Sequence, residues 1–320
     1  MGQVFTPEHI VNKILDEVGY KGENILNKKI LEPSFGEGVF LFEIIKRLID
    51  YCESLSMSKE EIKEQLEKNV YGVEIDKDLY KYTLDKLNLL TDTNDIKDVN
   101  WKLYNKDTLT YTNYDFFDFV VGNPPYIRIH NLSKDVRNNL KDYDFTEGIT
   151  DMYIIFFGLG IKFLNNKGKL GYITPNSYMK NTSQSKFRKY LIKENLIEKI
   201  IDYGSSKLFN NADTYTAITI LSKNKIDYNL TYSRINDSEV FRKPIAFSCG
   251  LETQANGQLL SNCQTNELQS LVGDTEASAK VTYNDTEASA KVTYNDTEAS
   301  AKVMCNDIER SEITNKDIEA

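Results

Sequence analysis

Apolar and polar positions along the first 235 residues switch between two periods. Ile10, Val11, Ile14, Leu15 and Val18 recur at helical spacing, and Thr6 with Pro7 reads as an N-cap and a first helical residue for that run. Short apolar runs of strand length follow at Lys28–Glu32, Asn69–Ile75, Trp101–Asn105, Phe116–Val121, Lys169–Thr174, Leu196–Tyr203 and Thr214–Leu221, with a further candidate at Asp227–Ile235. Helical stretches lie between them: Phe40 to about Ile49, Ser58–Lys68, Lys77–Leu90, Asp151–Leu164 and Ser183–Asn195. The polar residues Asn165–Gly168 read as a turn, and the charged stretch from Asn131 to Gly148 as a loop with a short helix. Strands alternating with helices on this spacing predict an α/β fold, with a mostly parallel seven-stranded sheet covered by helices on both faces.

The tail changes that pattern. Asp274–Asn284, Asp285–Asn295 and Asp296–Asn306 are three copies of an 11-residue unit, the last with Met304 and Cys305 where the others carry Thr-Tyr. Ala277, Ala279, Val281 and Tyr283 alternate at period two, which favours a strand followed by an Asn-Asp turn. Small side chains, acidity and only three copies predict a flexible or marginally ordered segment rather than a solenoid. The expected division is an α/β domain over 1–225, a further segment over 226–273, the repeats over 274–306 and a tail over 307–320.

Charge matters chiefly through its distribution. The formal net charge is -9, but from Leu251 onward there are 13 acidic and 5 basic residues, leaving 35 acidic and 34 basic in the body. A near-neutral body is compatible with a local basic face and a nucleic-acid partner. Cys52, Cys249, Cys263 and Cys305 show no paired spacing, and with only His9 and His130 there is no zinc pattern. No apolar run reaches the ~18 residues of a membrane span, and the N-terminus lacks a signal-peptide layout, so a cytosolic protein is expected.

Candidate chemistry falls where strands end. Glu32 closes the first strand and leads into Pro33-Ser34-Phe35-Gly36-Glu37-Gly38, a glycine turn entering a helix, the layout of a nucleotide crevice. It has no third glycine, and Glu32 and Glu37 would repel a pyrophosphate, so a ligand with a cationic centre suits it better. Glu74 ends the second strand, placed for two ribose hydroxyls or simply solvated, and Asp107 follows the third, placed to accept from an amino group or to cap a turn. Asn123-Pro124-Pro125-Tyr126 follows the fourth. The prolines hold Asn123 and Pro124 extended and leave their carbonyls open, so an amide oxygen and a fixed carbonyl form two acceptors for one NH2 group, beside an aromatic face.

These motifs, in this order, resemble the gamma-class N6-adenine DNA methyltransferases of restriction-modification systems. Val4-Phe5-Thr6-Pro7 is similar to that family's N-terminal cofactor motif, Glu32 through Gly38 to its first core motif, Glu74 and Asp107 to its next two acids, and Asn123-Pro124-Pro125-Tyr126 to its catalytic tetrapeptide. The similarity extends through Lys207-Leu208-Phe209-Asn210 to about Leu221. It implies a Rossmann-like fold with S-adenosylmethionine as methyl donor. Thr6, Glu32, Pro33, Gly36 and Gly38 would surround its methionine portion, Glu74 its ribose and Asp107 its adenine amino group, between Ile75 and Phe156. Asn123 and the Pro124 carbonyl would accept the target amine, with Tyr126 and Phe209 on the two faces of a flipped base. Double-stranded DNA is the implied partner. About 100 residues remain after Leu221, fewer than the family's recognition domain, so a separate specificity subunit or domain is expected, and no nuclease segment is apparent.

Other readings stay open at this level. The tetrapeptide also serves enzymes that methylate a glutamine amide or RNA adenine; a catalytically silent binding subunit is suggested by the tail and opposed by the intact motif residues; a nicotinamide dehydrogenase is disfavoured by the turn.

Overall fold

The computed structural model describes residues 6–127, 151–204, 215–223, 225 and 229–235, together with the strand segments 245–250, 280–284 and 289–293. The strands are β1 (Ile30–Glu32), β2 (Val70–Glu74), β3 (Lys102–Asn105), β4 (Phe117–Gly122), β5 (Leu164–Pro175), β6 (Ile197–Asp202), β7 (Thr216–Ser222) and β8 (Asn229–Arg234). The helices are α1 (Glu8–Val18), α2 (Val39–Ser54), α3 (Lys59–Asn69), α4 (Lys77–Thr93), α5 (Met152–Phe163) and α6 (Ser185–Lys193). Each was expected, most of them within a few residues, although β5 begins at Leu164 rather than Lys169 and α2 runs on to Ser54 rather than about Ile49.

These eight strands lie in the order β3-β2-β1-β4-β5-β7-β6-β8. The expectation of a mostly parallel seven-stranded sheet is corrected: the sheet is mixed and includes β8. β7 inserts between β5 and β6 and runs antiparallel to both, whereas β6 and β8 are parallel. The sequence leaving β6 carries Gly204, Asn210, Asn211 and Asp213 and no helical apolar period, so nothing dictates the crossover that a parallel return requires. Three further strands continue past β8: β9 (Ile245–Gly250) and β11 (Ser289–Thr293) pair antiparallel with it, and β10 (Lys280–Asn284) pairs with β11. β10 and β11 come from the first two repeats, where alternation reads as strand.

Alternating side chains divide the interior into two cores. Leu31, Phe117, Val120, Leu170 and Tyr172 pack with α5 and α6, while Ile30, Phe119, Val121, Ile173 and Ile218 pack with α1 and α2. Burial on both faces is why these strands read as continuous apolar runs. α5 is buried almost all round, so its helical period is hidden by hydrophobicity at every position.

Two local expectations are corrected. Asn165–Gly168 do not form a separate turn but lie within β5, where the register jumps from Phe117↔Leu164 to Phe119↔Lys169. Asp118 holds this irregularity, accepting from Asn165 Nδ2 at 3.2 Å and from the Lys29 N–H at 2.9 Å. Thr6 does not cap α1. Pro7 occupies the N-cap position and its carbonyl accepts from the Ile10 and Val11 N–H groups, so the helix begins one residue later and the Thr6 hydroxyl is left for another partner.

α1 seats itself against the sheet through a glycine. A Cβ on Gly171 would lie 2.6 Å from Val18 Cγ1 and 2.8 Å from Ile14 Cγ2, so the absence of a side chain there lets α1 approach β5. Gly38 answers a different need, adopting φ +77° before α2, where a Cβ would meet Thr83 Cγ2 at 2.4 Å. Gly38→Ala is expected to cost roughly 2–4 kcal/mol, combining backbone strain and overpacking. In a Thr83→Ser background, which removes the clashing methyl, the same change should cost only about 1 kcal/mol. Urea unfolding of the four proteins in this cycle checks both values.

Candidate active site

The C-terminal ends of β1, β2, β3 and β4 converge on one cavity of about 600 Å³. In an open α/β sheet this edge collects ligands because loops from neighbouring strands diverge there. Of the residues singled out from sequence, Thr6, Glu32, Pro33, Gly36, Glu74, Ile75, Asp107, Phe156 and all of Asn123, Pro124, Pro125 and Tyr126 line it. Gly38 does not line it; it shapes the turn behind. Phe209 lies outside the described residues.

The glycine turn is fixed from both sides. The Gly36 N–H donates to Glu74 Oε2 at 2.8 Å, and the Gly36 carbonyl accepts from Thr83 Oγ1 at 2.8 Å. Glu74 Oε1 accepts from the Asp76 N–H at 2.8 Å, so one buried carboxylate ties the end of β2 to the turn after β1. Each oxygen retains acceptor capacity on the cavity side. The third loop is bound to the same frame: Thr108 Oγ1 donates to the Pro33 carbonyl, and Asn105 Nδ2 to the Glu74 carbonyl at 2.9 Å. Asp107 fulfils the turn-capping alternative, its Oδ1 accepting from the Leu109 N–H at 2.9 Å, while still facing the cavity. Ile75, 67% exposed, offers an apolar surface beside these acids that no packing need explains.

Glu32 is 2% exposed and accepts one hydrogen bond, from the Leu41 N–H at 3.2 Å. Burial pushes its carboxyl well above the ordinary 4.5; the Leu41 N–H works in the opposite direction, and the nearby Glu74 charge adds to the rise. At pH below the unfolded-chain value both states hold the proton. As pH rises from there to the raised native value, the unfolded chain releases a proton that the folded one keeps, so stability falls across that window and then levels off. Glu32→Gln is expected to flatten this fall and to melt above the wild type near pH 8, in thermal scans from pH 4.5 upward.

At the end of β4, Pro124 is buried and Asn123 and Tyr126 are half-buried. Asn123 Nδ2 donates to Thr6 Oγ1 at 3.1 Å, which is where the hydroxyl released from capping goes. Tyr126 donates through its hydroxyl to the Ile173 carbonyl at 3.3 Å and meets the Tyr153 ring edge-on at 6.4 Å. Burial, and then Tyr153, push the Tyr126 phenol upward, so it stays neutral.

Sequence reasoning missed Leu79, Leu109, Ile127 and Met152, which supply much of the apolar wall. Met152 was findable, since it stands four residues before Phe156 on one face of α5. Ile127 carried no signal. Among the described residues no group of three His, Cys, Asp or Glu is placed to hold a metal ion, and no helix is long and apolar enough to cross a membrane.

Strand order and the position of the cavity together define a methyltransferase-like α/β fold. Among solved structures it is shared with a type I restriction-modification methyltransferase subunit from Streptococcus thermophilus (TM-score 0.55, 19% identity, 73% of this chain and 47% of that one). It is shared also with the DNA-bound type ISP restriction-modification enzyme LlaBIII (TM-score 0.60, 18% identity, 73% and 20%). At the level of sequence, residues 53–209 match the family model of the Eco57I restriction-modification methylase. The chain is similar to the type II methyltransferase M.BstVI of Geobacillus stearothermophilus, at 29% identity over 258 residues covering 75% of this chain and 46% of the relative. It is also similar to the type II restriction enzyme and methyltransferase RM.Eco57I of Escherichia coli, at 28% identity over 327 residues covering 85% and 32%. The chain thus spans about a third to a half of the length of these curated relatives.

Proposed function

We propose that this chain is the catalytic part of an Eco57I-like restriction-modification methylase, transferring a methyl group from S-adenosylmethionine to the N6 amine of an adenine flipped out of double-stranded DNA. The observation that carries the reading is a juxtaposition. Asn123-Pro124-Pro125-Tyr126 forms one wall of the cavity whose other walls are the glycine turn, Glu74 and Asp107.

The donor set fits the cofactor by charge. Two buried carboxylates, Glu32 and Glu74, face each other's field in a cavity otherwise largely apolar, and burial already drives Glu32 toward its neutral form. A ligand bearing positive charge relieves that strain, whereas a pyrophosphate aggravates it. When bound, S-adenosylmethionine supplies an electrophilic methyl on a sulfonium. Glu74 has acceptor capacity left for ribose hydroxyls, Asp107 for an amino group, and Ile75 with Phe156 provides apolar walls for a planar ring.

The remaining work belongs to the tetrapeptide. The Asn123 Oδ1 and the Pro124 carbonyl accept one hydrogen bond each from the two N–H groups of the target amine, drawing its lone pair out of conjugation with the base. Tyr126, held by Ile173 and Tyr153, presents the stacking face. Such a site works by positioning and electrostatics, without a covalent nucleophile. The base must leave the duplex to reach it.

The described residues lining the cavity run only from Thr6 to Phe156. We therefore assign catalysis to residues 1–225 and base choice to surface outside them, on a separate specificity subunit or domain. Incubation with methyl-labelled S-adenosylmethionine and equal masses of DNA, RNA and protein is the test. Label is expected in DNA; label confined to RNA or to glutamine side chains contradicts the proposal, and tight site-specific methylation by the chain alone contradicts its specificity part.

A further inference from the structure

We propose that Thr6 is a positioning residue for Asn123, its hydroxyl oxygen fixing which end of the Asn123 amide faces the target base. This rests on the reading of Asn123 as acceptor for the target amine. An asparagine amide has two ends of nearly equal shape, an oxygen that accepts and an NH2 that donates. Only the oxygen end accepts a hydrogen bond from an adenine amino group, and the NH2 end sets donor against donor. The side-chain torsion that exchanges them is broad and roughly two-fold, so the backbone restraint from Pro124 does not choose between them.

Thr6 makes the choice. Asn123 Nδ2 donates to its Oγ1 at 3.1 Å across 117 residues of chain, and Thr6 is 5% exposed. Its place is set by Pro7, whose carbonyl is engaged by the first turn of α1 at 2.9 and 3.1 Å, and by α1's packing against β5. A threonine hydroxyl both donates and accepts, so its preference sharpens once its own hydrogen is taken. The α1 N-terminus favours an anion at this end of the cavity, and a ligand carboxylate that accepts the Thr6 hydrogen leaves Oγ1 as acceptor only. Cofactor occupancy then locks the amide in the orientation the base requires.

The test combines a spectroscopic and a kinetic reading of the full chain with Thr6→Val, Thr6→Ser and Asn123→Ala. In protein labelled with 15N-asparagine and saturated with S-adenosylhomocysteine, the Asn123 NH2 pair is identified by its loss in Asn123→Ala. It is expected to be sharp in the wild type and Thr6→Ser, and shifted or exchange-broadened in Thr6→Val. Thr6→Val should lower kcat for methyl transfer about tenfold to a hundredfold, over and above any rise in KM for S-adenosylmethionine from the lost contact to the ligand carboxylate, and Ser should restore most of it. On top of Asn123→Ala, Thr6→Val should lower kcat no further, because in kcat one residue acts through the other. An NH2 pair unmoved in Thr6→Val, a rise in KM with kcat intact, or kcat losses that multiply in the double variant overturns the proposal. A wild-type chain that methylates no DNA instead defeats the reading of Asn123, and the NH2 pair still decides whether Thr6 holds it.

Discussion

Asn123→Ala is expected to lower methyl transfer to DNA by about two to three orders of magnitude, the scale seen when one preorganised electrostatic contact to a reacting group is removed. The reason is specific to the amine. Its nitrogen becomes nucleophilic only as its lone pair leaves conjugation, and two acceptors aimed at its protons stabilise that state more than the ground state. The Pro124 carbonyl alone holds one proton and leaves the other unmatched. Affinity for S-adenosylmethionine should stay near the wild-type value, since Glu74, Gly36 and Asp107 are held by hydrogen bonds within the loops after β1, β2 and β3, while the Asn123 amide is engaged at Thr6. Equilibrium binding by calorimetry beside single-turnover methylation separates the two effects; a variant that loses cofactor affinity in parallel with rate would assign Asn123 to the wrong half of the cavity.

Glu74→Ala should fail on the other half. Both carboxylate oxygens accept backbone N–H groups, from Gly36 and Asp76, and the residue is 6% exposed. Removing it leaves two part-buried N–H groups without their acceptor, at roughly 0.5–1.5 kcal/mol each, and releases the turn that shapes the cavity floor. Thermal unfolding is expected at clearly lower temperature, and binding of S-adenosylmethionine should weaken by about a hundredfold or more, the equivalent of ~3 kcal/mol. Glu74→Gln should fall between, because its single oxygen satisfies one donor and its NH2 opposes the other. Equal binding by Glu74→Gln and the wild type would show that the carboxylate serves the turn and not the ligand.

The sheet edge that carries the cavity was legible because its signals are local. β1, β2 and β4 end in an acid or a glycine at the close of a buried run, Asp107 follows two residues after the more exposed edge strand β3, and strand ends on one edge of an α/β sheet must converge. The antiparallel course of β7 was not legible: Thr216–Ser222 is buried on both faces, and a doubly buried run looks the same in either direction. Asn165–Gly168 misled for a related reason, since polar residues that bulge from a strand and residues that reverse the chain share one composition. The Thr6–Asn123 bond lay beyond any window, since 117 residues of chain separate its partners. Thr6 was singled out from sequence as a cap and by resemblance as a cofactor contact, and the structure rejects only the first.

The chemical identity of the product tests the central claim most directly. DNA incubated with the chain and methyl-labelled S-adenosylmethionine is digested to nucleosides, and the labelled species is resolved by chromatography and mass spectrometry. Two acceptors poised for an exocyclic amine beside an aromatic face predict that the label co-migrates with N6-methyldeoxyadenosine and disappears with Asn123→Ala. Label in 5-methyldeoxycytidine, on a carbon that offers no amine to those acceptors, would contradict the account.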